Sequence, residues 1–110
     1  MSGATSRRKG AEWERQIVRL LRDYGWHAIT SRNSRGGTQA GADVITDMPL
    51  SVEAKNCKTI ELARWLDQAL DQSQGEPAVV MAKRRGKPPE HGYAVMRIDQ
   101  LLELVRRKDL

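Results

Sequence analysis

Three residues in the stretch GADVITDMPLSVEAK have the types and the spacing of a metal-dependent site that cleaves phosphodiesters: Asp43, Glu53 and Lys55. Two carboxylates offer the hard oxygen ligands that Mg²⁺ prefers, and no cluster of His or Cys competes as a ligand set. Hydrolysis of a phosphodiester needs an activated water and neutralisation of the charge that develops on the phosphate, and a bound Mg²⁺ supplies part of both. Lys55 could orient or deprotonate the water, or stabilise charge on the phosphate, and the sequence leaves these roles open.

The same stretch predicts a β-hairpin that would bring these residues together. Two apolar runs, 44–45 and 50–55, flank a turn-like Asp-Met-Pro segment. Residues two apart in a strand share a face, so Glu53 and Lys55 should point the same way, with their neighbours Val52 and Ala54 facing a core. If the two strands pair, Asp43 can approach that face. The alternative is an ordinary solvated ion pair, which is the more common meaning of a Glu-x-Lys pattern.

Upstream of the hairpin, residues 8–24 predict an amphipathic helix that Gly25 ends. Its apolar face is formed by Trp13, Ile17, Leu20, Leu21 and Tyr24. At about 100° per residue, Glu14 falls on the flank of this apolar face, whereas Glu12 falls on the opposite, solvated side. A carboxylate turned toward a core needs a partner, so Glu14 either pairs with an arginine or joins the metal site as a third acid.

The remaining pattern predicts the element order αβββαββα and a mixed sheet flanked by helices, in one domain spanning residues 1–110. Residues 1–7 are expected to form a flexible basic tail. Strands are predicted at 26–31, 78–83 and 93–97. A middle helix is predicted to start at about Ile60, N-capped by Thr59, and to be ended by Gly75, with Leu62, Trp65, Leu66 and Ala69 on one face. A last helix is predicted to be capped by Asp99, with Leu101, Leu102 and Val105 facing inward.

The charge balance favours a polyanionic partner. Lys and Arg outnumber Asp and Glu by 19 to 14, and the isoelectric point is about 9.8. The loop 31–41 carries Arg32 and Arg35 among small polar residues and could follow a phosphate backbone. The densest basic cluster, Lys83, Arg84 and Arg85, is a second candidate contact. A plain surface loop and a solvated turn are the alternatives.

Composition excludes several classes of protein. A single cysteine, Cys57, precludes an intramolecular disulfide and fits a reducing compartment. No apolar run is long enough to span a membrane, and the first residues lack the apolar segment of a signal peptide. The chain is therefore expected to be intracellular, without a membrane or small-molecule partner.

These motifs together resemble the PD-(D/E)xK nuclease superfamily, and within it the archaeal-type Holliday junction resolvases, which are also found in viruses. The resemblance spans roughly residues 7 to 85. It rests on RKGAEWER, the serine-bearing loop SRNSRGG, the GAD and VEAK motifs, and a later lysine. In order, the matching positions are Arg8, Lys9, Gly10, Glu14, Arg15, Ser34, Asp43, Glu53, Lys55 and Lys83.

The resemblance implies an α/β fold with a restriction-endonuclease-like core and about five strands. It implies that Asp43 and Glu53 bind Mg²⁺, for which Mn²⁺ would substitute, that Glu14 completes or supports the metal site, and that Lys55 assists the attacking water. It also implies a homodimer that acts on branched double-stranded DNA. The residues assigned to the DNA surface are Arg8, Lys9, Arg15, Arg32, Ser34, Arg35, Lys83, Arg84 and Arg85. Another nuclease of the superfamily (VRR-type, nicking, restriction-like or flap-cleaving) and a non-catalytic basic DNA-binding module are the alternatives.

Overall fold

The computed structural model describes residues 3–31 and 43–107, with side chains from Arg7 onward. Its elements are α1 (Gly3–Asp23), β1 (Ala28–Thr30), β2 (Val44–Thr46), β3 (Ser51–Lys55), α2 (Leu62–Gln72), β4 (Ala78–Ala82), β5 (Tyr93–Val95) and α3 (Ile98–Arg106), with a short 3-10 helix at Pro89–His91 before β5. The predicted order αβββαββα is confirmed.

The strands form one five-stranded mixed sheet in the order β1-β2-β3-β4-β5. Strands β1, β2 and β3 are antiparallel to one another in turn, β3 and β4 are parallel, and β4 and β5 are antiparallel. The parallel pair requires a crossover, and α2 provides it. This architecture confirms the predicted α/β fold and is consistent with a restriction-endonuclease-like core.

Each face of the sheet carries one helix and one apolar cluster, because side chains alternate along the central strands. On one face, Trp13, Ile17, Val18 and Leu21 of α1 pack against a cluster of strand residues. These strand residues are Ala28, Val44, Val52 and Val79. On the other face, α2 packs Trp65 and Ala69 against Ala78, Val80 and Ala82 of β4. Val52, predicted to face a core, is fully buried.

The first helix starts earlier than predicted, and it ends at the predicted glycine. It begins at Gly3 rather than Arg8, so residues 3–7 lie in α1 and not in a tail ahead of it. Gly25 takes a left-handed φ of +94°, and the N–H of Trp26 bonds back to the carbonyl of Leu21 at 3.0 Å, which ends the helix as predicted. Tyr24 lies beyond the last helical turn and is 74% exposed, so its assignment to the buried face is wrong.

The other two helices also correct their predictions. Helix α2 starts at Leu62, and Glu61 is its N-cap residue, so the prediction that Thr59 caps this helix is wrong. The Glu61 side chain pairs with Arg64. Leu62 is exposed to solvent. In α3, the N-cap residue is Arg97, and Asp99 lies in the first turn, so the prediction that Asp99 caps this helix is wrong. The predicted inward face of α3, formed by Leu101, Leu102 and Val105, is exposed to solvent. In the described part of the chain, no helix is long and apolar enough to cross a membrane.

Candidate active site

Asp43 and Glu53 face each other across the antiparallel hairpin of β2 and β3. Val44 pairs with Val52, so Asp43, which directly precedes β2, comes opposite Glu53 in β3. The backbone N–H of Ala54 donates a hydrogen bond of 2.8 Å to Oδ2 of Asp43, which fixes that carboxylate against β3. The predicted hairpin is therefore present, and it brings the two acids together as expected.

Glu53 is held in an environment that disfavours its charge. It is only 4% exposed, and its pKa is raised from 4.5 to about 8, with burial as the largest cause. The charge of Asp43, a hydrogen bond with Asp43 and the charge of Glu14 contribute to this rise, and the charge of Lys55 opposes it. At neutral pH Glu53 therefore keeps its proton in the metal-free protein, and it forms a hydrogen bond with Asp43.

Glu14 reaches this pair from α1. It is 7% exposed, whereas Glu12 is exposed, as the helical spacing predicted. Its neighbour Trp13 donates its indole N–H to the carbonyl of Met81 in β4 at 2.9 Å, which anchors this turn of α1 to the sheet. Glu14 contributes charge at Glu53, and its electrostatic influence is the smallest of those acting there.

The donor set suits a hard divalent cation. Within residues 3–31 and 43–107, no group of three or more His, Cys, Asp or Glu side chains is arranged to hold a metal ion. Asp43 and Glu53 are nevertheless two adjacent carboxylates, and Mg²⁺ is commonly held by one or two carboxylates while it keeps several waters. The assignment of Glu14 as a third ligand stays a prediction.

Lys55 stands at the end of β3, where the acids meet a basic groove. It lies two residues after Glu53 on the same strand face, and its charge acts on Glu53. Its carbonyl accepts a hydrogen bond of 3.0 Å from the N–H of Lys83, which continues the parallel pairing of β3 with β4. Lys55 as a whole residue is half-buried.

The groove next to Lys55 has a volume of about 580 Å³, and no acidic residue of the described chain lines it. Its six basic residues are Lys9, Lys55, Lys58, Lys83, Arg84 and Arg85. The Lys83 ammonium lies 5.2 Å from the centre of the Trp13 ring, and the Arg84 guanidinium lies 4.9 Å from that of Tyr93. Cation–π contacts of this kind hold both charges in place.

The groove contains four of the residues that the sequence assigned to DNA: Lys9, Lys83, Arg84 and Arg85. Arg15 instead lines a separate hollow with Arg19 and Arg22, and Arg8 is exposed on α1 without lining the groove. The three other assigned residues, Arg32, Ser34 and Arg35, lie outside the described residues.

Sequence reasoning missed Lys58 and Tyr93 as groove residues. Lys58 lies three residues after Lys55, and its nearness to the predicted site was a signal that could have been used. Tyr93 carried no such signal, because only the pairing of β5 with β4 brings it beside Arg84.

One comparison with known proteins gives a match. The family model described as "Archaeal holliday junction resolvase (hjc)" matches residues 5–87, well over half of the chain. The matched segment contains all four candidate catalytic residues, and it ends before β5 and α3. No curated protein and no solved structure matches the chain.

Proposed function

The chain belongs to the archaeal Holliday junction resolvase family of the PD-(D/E)xK nuclease superfamily, and we propose that it resolves four-way DNA junctions as a Mg²⁺-dependent endonuclease. The proposed reaction is paired, symmetric hydrolysis of two phosphodiester bonds by a homodimer. The observation that carries this proposal is the hydrogen-bonded Asp43–Glu53 pair, next to Lys55 at the end of a groove lined by cations.

Asp43 and Glu53 are the residues that would hold the cation. The Ala54 N–H already fixes the Asp43 carboxylate, and Glu53 can act as the second ligand once it gives up its proton. When bound, Mg²⁺ supplies Lewis-acid stabilisation of the phosphate and lowers the pKa of a coordinated water. Mn²⁺ is expected to substitute, because it accepts the same oxygen ligands.

Lys55 has two chemically distinct roles open to it. Its ammonium group can neutralise charge on the phosphate, or its amine can orient or deprotonate the attacking water. Lys55→Arg separates them, since arginine keeps the positive charge but does not deprotonate within the usual pH range. Substantial activity in this variant supports charge stabilisation, and loss equal to that of Lys55→Ala supports a role that needs the amine.

The groove is proposed to hold the phosphate backbone beside the bond that is cut. Its cations come from three places in the chain: α1, the end of β3 with the segment that follows it, and the segment after β4. Contacts with phosphates position DNA but carry no base sequence, so this surface suits a substrate defined by its branched shape. Acting on junctions formed by cellular or viral DNA places the proposed activity inside the cell.

Cleavage of a labelled immobile four-way junction with Mg²⁺ tests the proposal, with linear duplex, single-strand and flap substrates as comparisons. Asp43→Asn should abolish cleavage and keep or strengthen DNA binding, because a negative charge near the phosphate is removed. Asp71→Asn, at an exposed position of α2, is the matched control and should cleave normally.

Paired nicks in the junction that disappear in Asp43→Asn would support a resolvase. Cleavage of duplex or flap instead would keep the nuclease and reject the junction selectivity. DNA binding without cleavage of any substrate would reject the enzyme and favour a binding module.

A further inference from the structure

Helix α3 carries an apolar face that the described chain leaves open. Ile98, Leu101, Leu102 and Val105 are between 46% and 75% exposed. They follow the i, i+3, i+4, i+7 spacing of one helical stripe, which in most helices is the side turned toward a core. A continuous stripe of four large apolar side chains is the kind of exposed surface that marks an interaction site.

The side of α3 opposite this stripe is half-buried. It carries Gln100, Glu103 and Leu104, two polar side chains and one leucine. Arg107, just after the helix, pairs with Glu76 at 3.5 Å, which links this end of the chain to the segment before β4. The most apolar side of α3 is thus the side left open, which is the reverse of what burial within one chain would produce.

We propose that this stripe is the contact between two copies of the chain, with the two α3 helices packed antiparallel about a two-fold axis. A face that pairs with itself must be self-complementary. In an antiparallel pair, Ile98 of one copy lies opposite Val105 of the other, and Leu101 lies opposite Leu102. Each copy thus covers the open stripe of its partner with equivalent residues.

The charges beside the stripe fit this arrangement. Asp99 and Arg106 are seven residues apart, so they lie on the same flank of α3, near opposite ends. Antiparallel packing about a two-fold axis places Asp99 of each copy beside Arg106 of the other. In a parallel two-fold pair the equivalent flanks lie on opposite sides of the contact, so these opposite charges would not meet. Within one chain, Asp99 pairs with Arg97 and Arg106 with Glu103, and both of these pairs are exposed. Exposed pairs of this kind contribute little, so they can exchange partners at small cost.

This inference rests on the proposed function for its purpose, because paired symmetric cuts need two equivalent sites in one particle. The proposed contact between the two α3 helices forms without DNA. Helix α3 also lies beyond the residues that the family model matches. A stripe on a nine-residue helix is small beside a standard interface of about 800 Å² per partner, so a dissociation constant in the micromolar range is expected.

The first test is sedimentation equilibrium of the full chain without DNA, with wild type compared with Leu102→Glu and Ile60→Glu. Leu102 and Ile60 are both 63% exposed, so neither change buries a charge in the isolated chain. Leu102→Glu brings like charges together at the centre of the contact and should weaken association about 100-fold or more. Ile60→Glu, away from α3, should leave association unchanged.

The second test concerns direction, and it uses two charge reversals, Asp99→Arg and Arg106→Asp. Each variant alone should associate more weakly than wild type, because an antiparallel pair of identical copies then has like charges at both ends. An equimolar mixture should regain association, since each copy with two arginines meets a copy with two aspartates. Recovery in the mixture supports the antiparallel contact, and no recovery overturns it.

A wild-type chain that stays monomeric at about 100 µM, well above the expected range, would overturn the proposal. So would a dimer that Leu102→Glu leaves intact, since another surface would then hold it. These results are separate from cleavage: a chain that dimerises through α3 but cuts no DNA would reject the proposed function alone. A monomer that cuts junctions would reject the dimer contact alone.

Discussion

Replacing Glu53 with Gln should change how the metal-free protein responds to pH. In the folded chain, burial and Asp43 raise the Glu53 pKa to about 8, against 4.5 for an ordinary glutamate. Between these values the folded protein binds a proton that the unfolded chain releases, so raising the pH destabilises the fold. The contribution is fully present below about pH 4.5 and is lost as the pH rises through 8.

The size of this effect follows from the pKa difference. One pKa unit corresponds to about 1.4 kcal/mol, so the change from 4.5 to about 8 sets an upper bound of about 5 kcal/mol. Asp43 is half-buried, and water that reaches the pair reduces the penalty. We therefore expect the free energy of unfolding of wild type to fall by about 2–3 kcal/mol more than that of Glu53→Gln between pH 5 and 9. This difference corresponds to about 10 °C in Tm. The glutamine amide carries no titrating proton, so that variant lacks this loss.

Urea unfolding at several pH values, in buffer with a chelator and at one protein concentration, measures the effect. The buried Trp13 and Trp65 provide a fluorescence signal. The exposed Glu12→Gln is the matched control and should follow wild type. Adding Mg²⁺ should restore the stability of wild type at high pH but not that of Glu53→Gln, because binding favours the deprotonated Glu53 carboxylate. Parallel pH profiles for wild type and Glu53→Gln would refute the raised pKa of Glu53.

Three further predictions concern neighbouring residues. Glu14→Gln should lower junction cleavage at least about tenfold while Glu12→Gln leaves it unchanged, and equal tolerance of both changes in the nicking assay would reject a role for Glu14. Arg84→Ala should weaken DNA binding and reduce the slope of log K against log salt by about 1, in a titration where Arg19→Ala serves as control, and an unchanged slope would remove Arg84 from the DNA contact. Trp13→Phe keeps the ring below Lys83 but loses the hydrogen bond to β4, so it should cost about 1–2 kcal/mol in urea unfolding, and wild-type stability would contradict that bond's contribution.

The local parts of the site could be predicted because they depend on short-range periodicity. Strand alternation placed Glu53 and Lys55 on one face, and helical spacing separated the buried Glu14 from the exposed Glu12. The hairpin between Asp43 and Glu53 required only a turn between two apolar runs. These features involve few residues, and tertiary packing agrees with the local preference at each of them.

Other features depended on contacts that no local pattern contains. Periodicity shows that Leu101, Leu102 and Val105 share a face of α3, but not whether that face meets the same chain, and in the structure it does not. The groove also depends on a long-range contact, because Tyr93 lies beside Arg84 only when β4 and β5 pair. Long-range pairing decided both outcomes.

The acids and the exposed stripe of α3 occupy separate parts of the chain, residues 14–55 and 98–106. In the proposed dimer, residues 14–55 therefore carry out the chemistry of each cut, and α3 sets the spacing between the two cuts. One turn of helix advances about 5.4 Å, and one nucleotide of a duplex strand about 3.4 Å. A one-turn change in how the helices align would thus shift the two active sites relative to each other by about 5.4 Å, a length comparable to one or two nucleotides. Such a change would leave every catalytic atom where it was, so nick positions could be re-engineered without altering the active site.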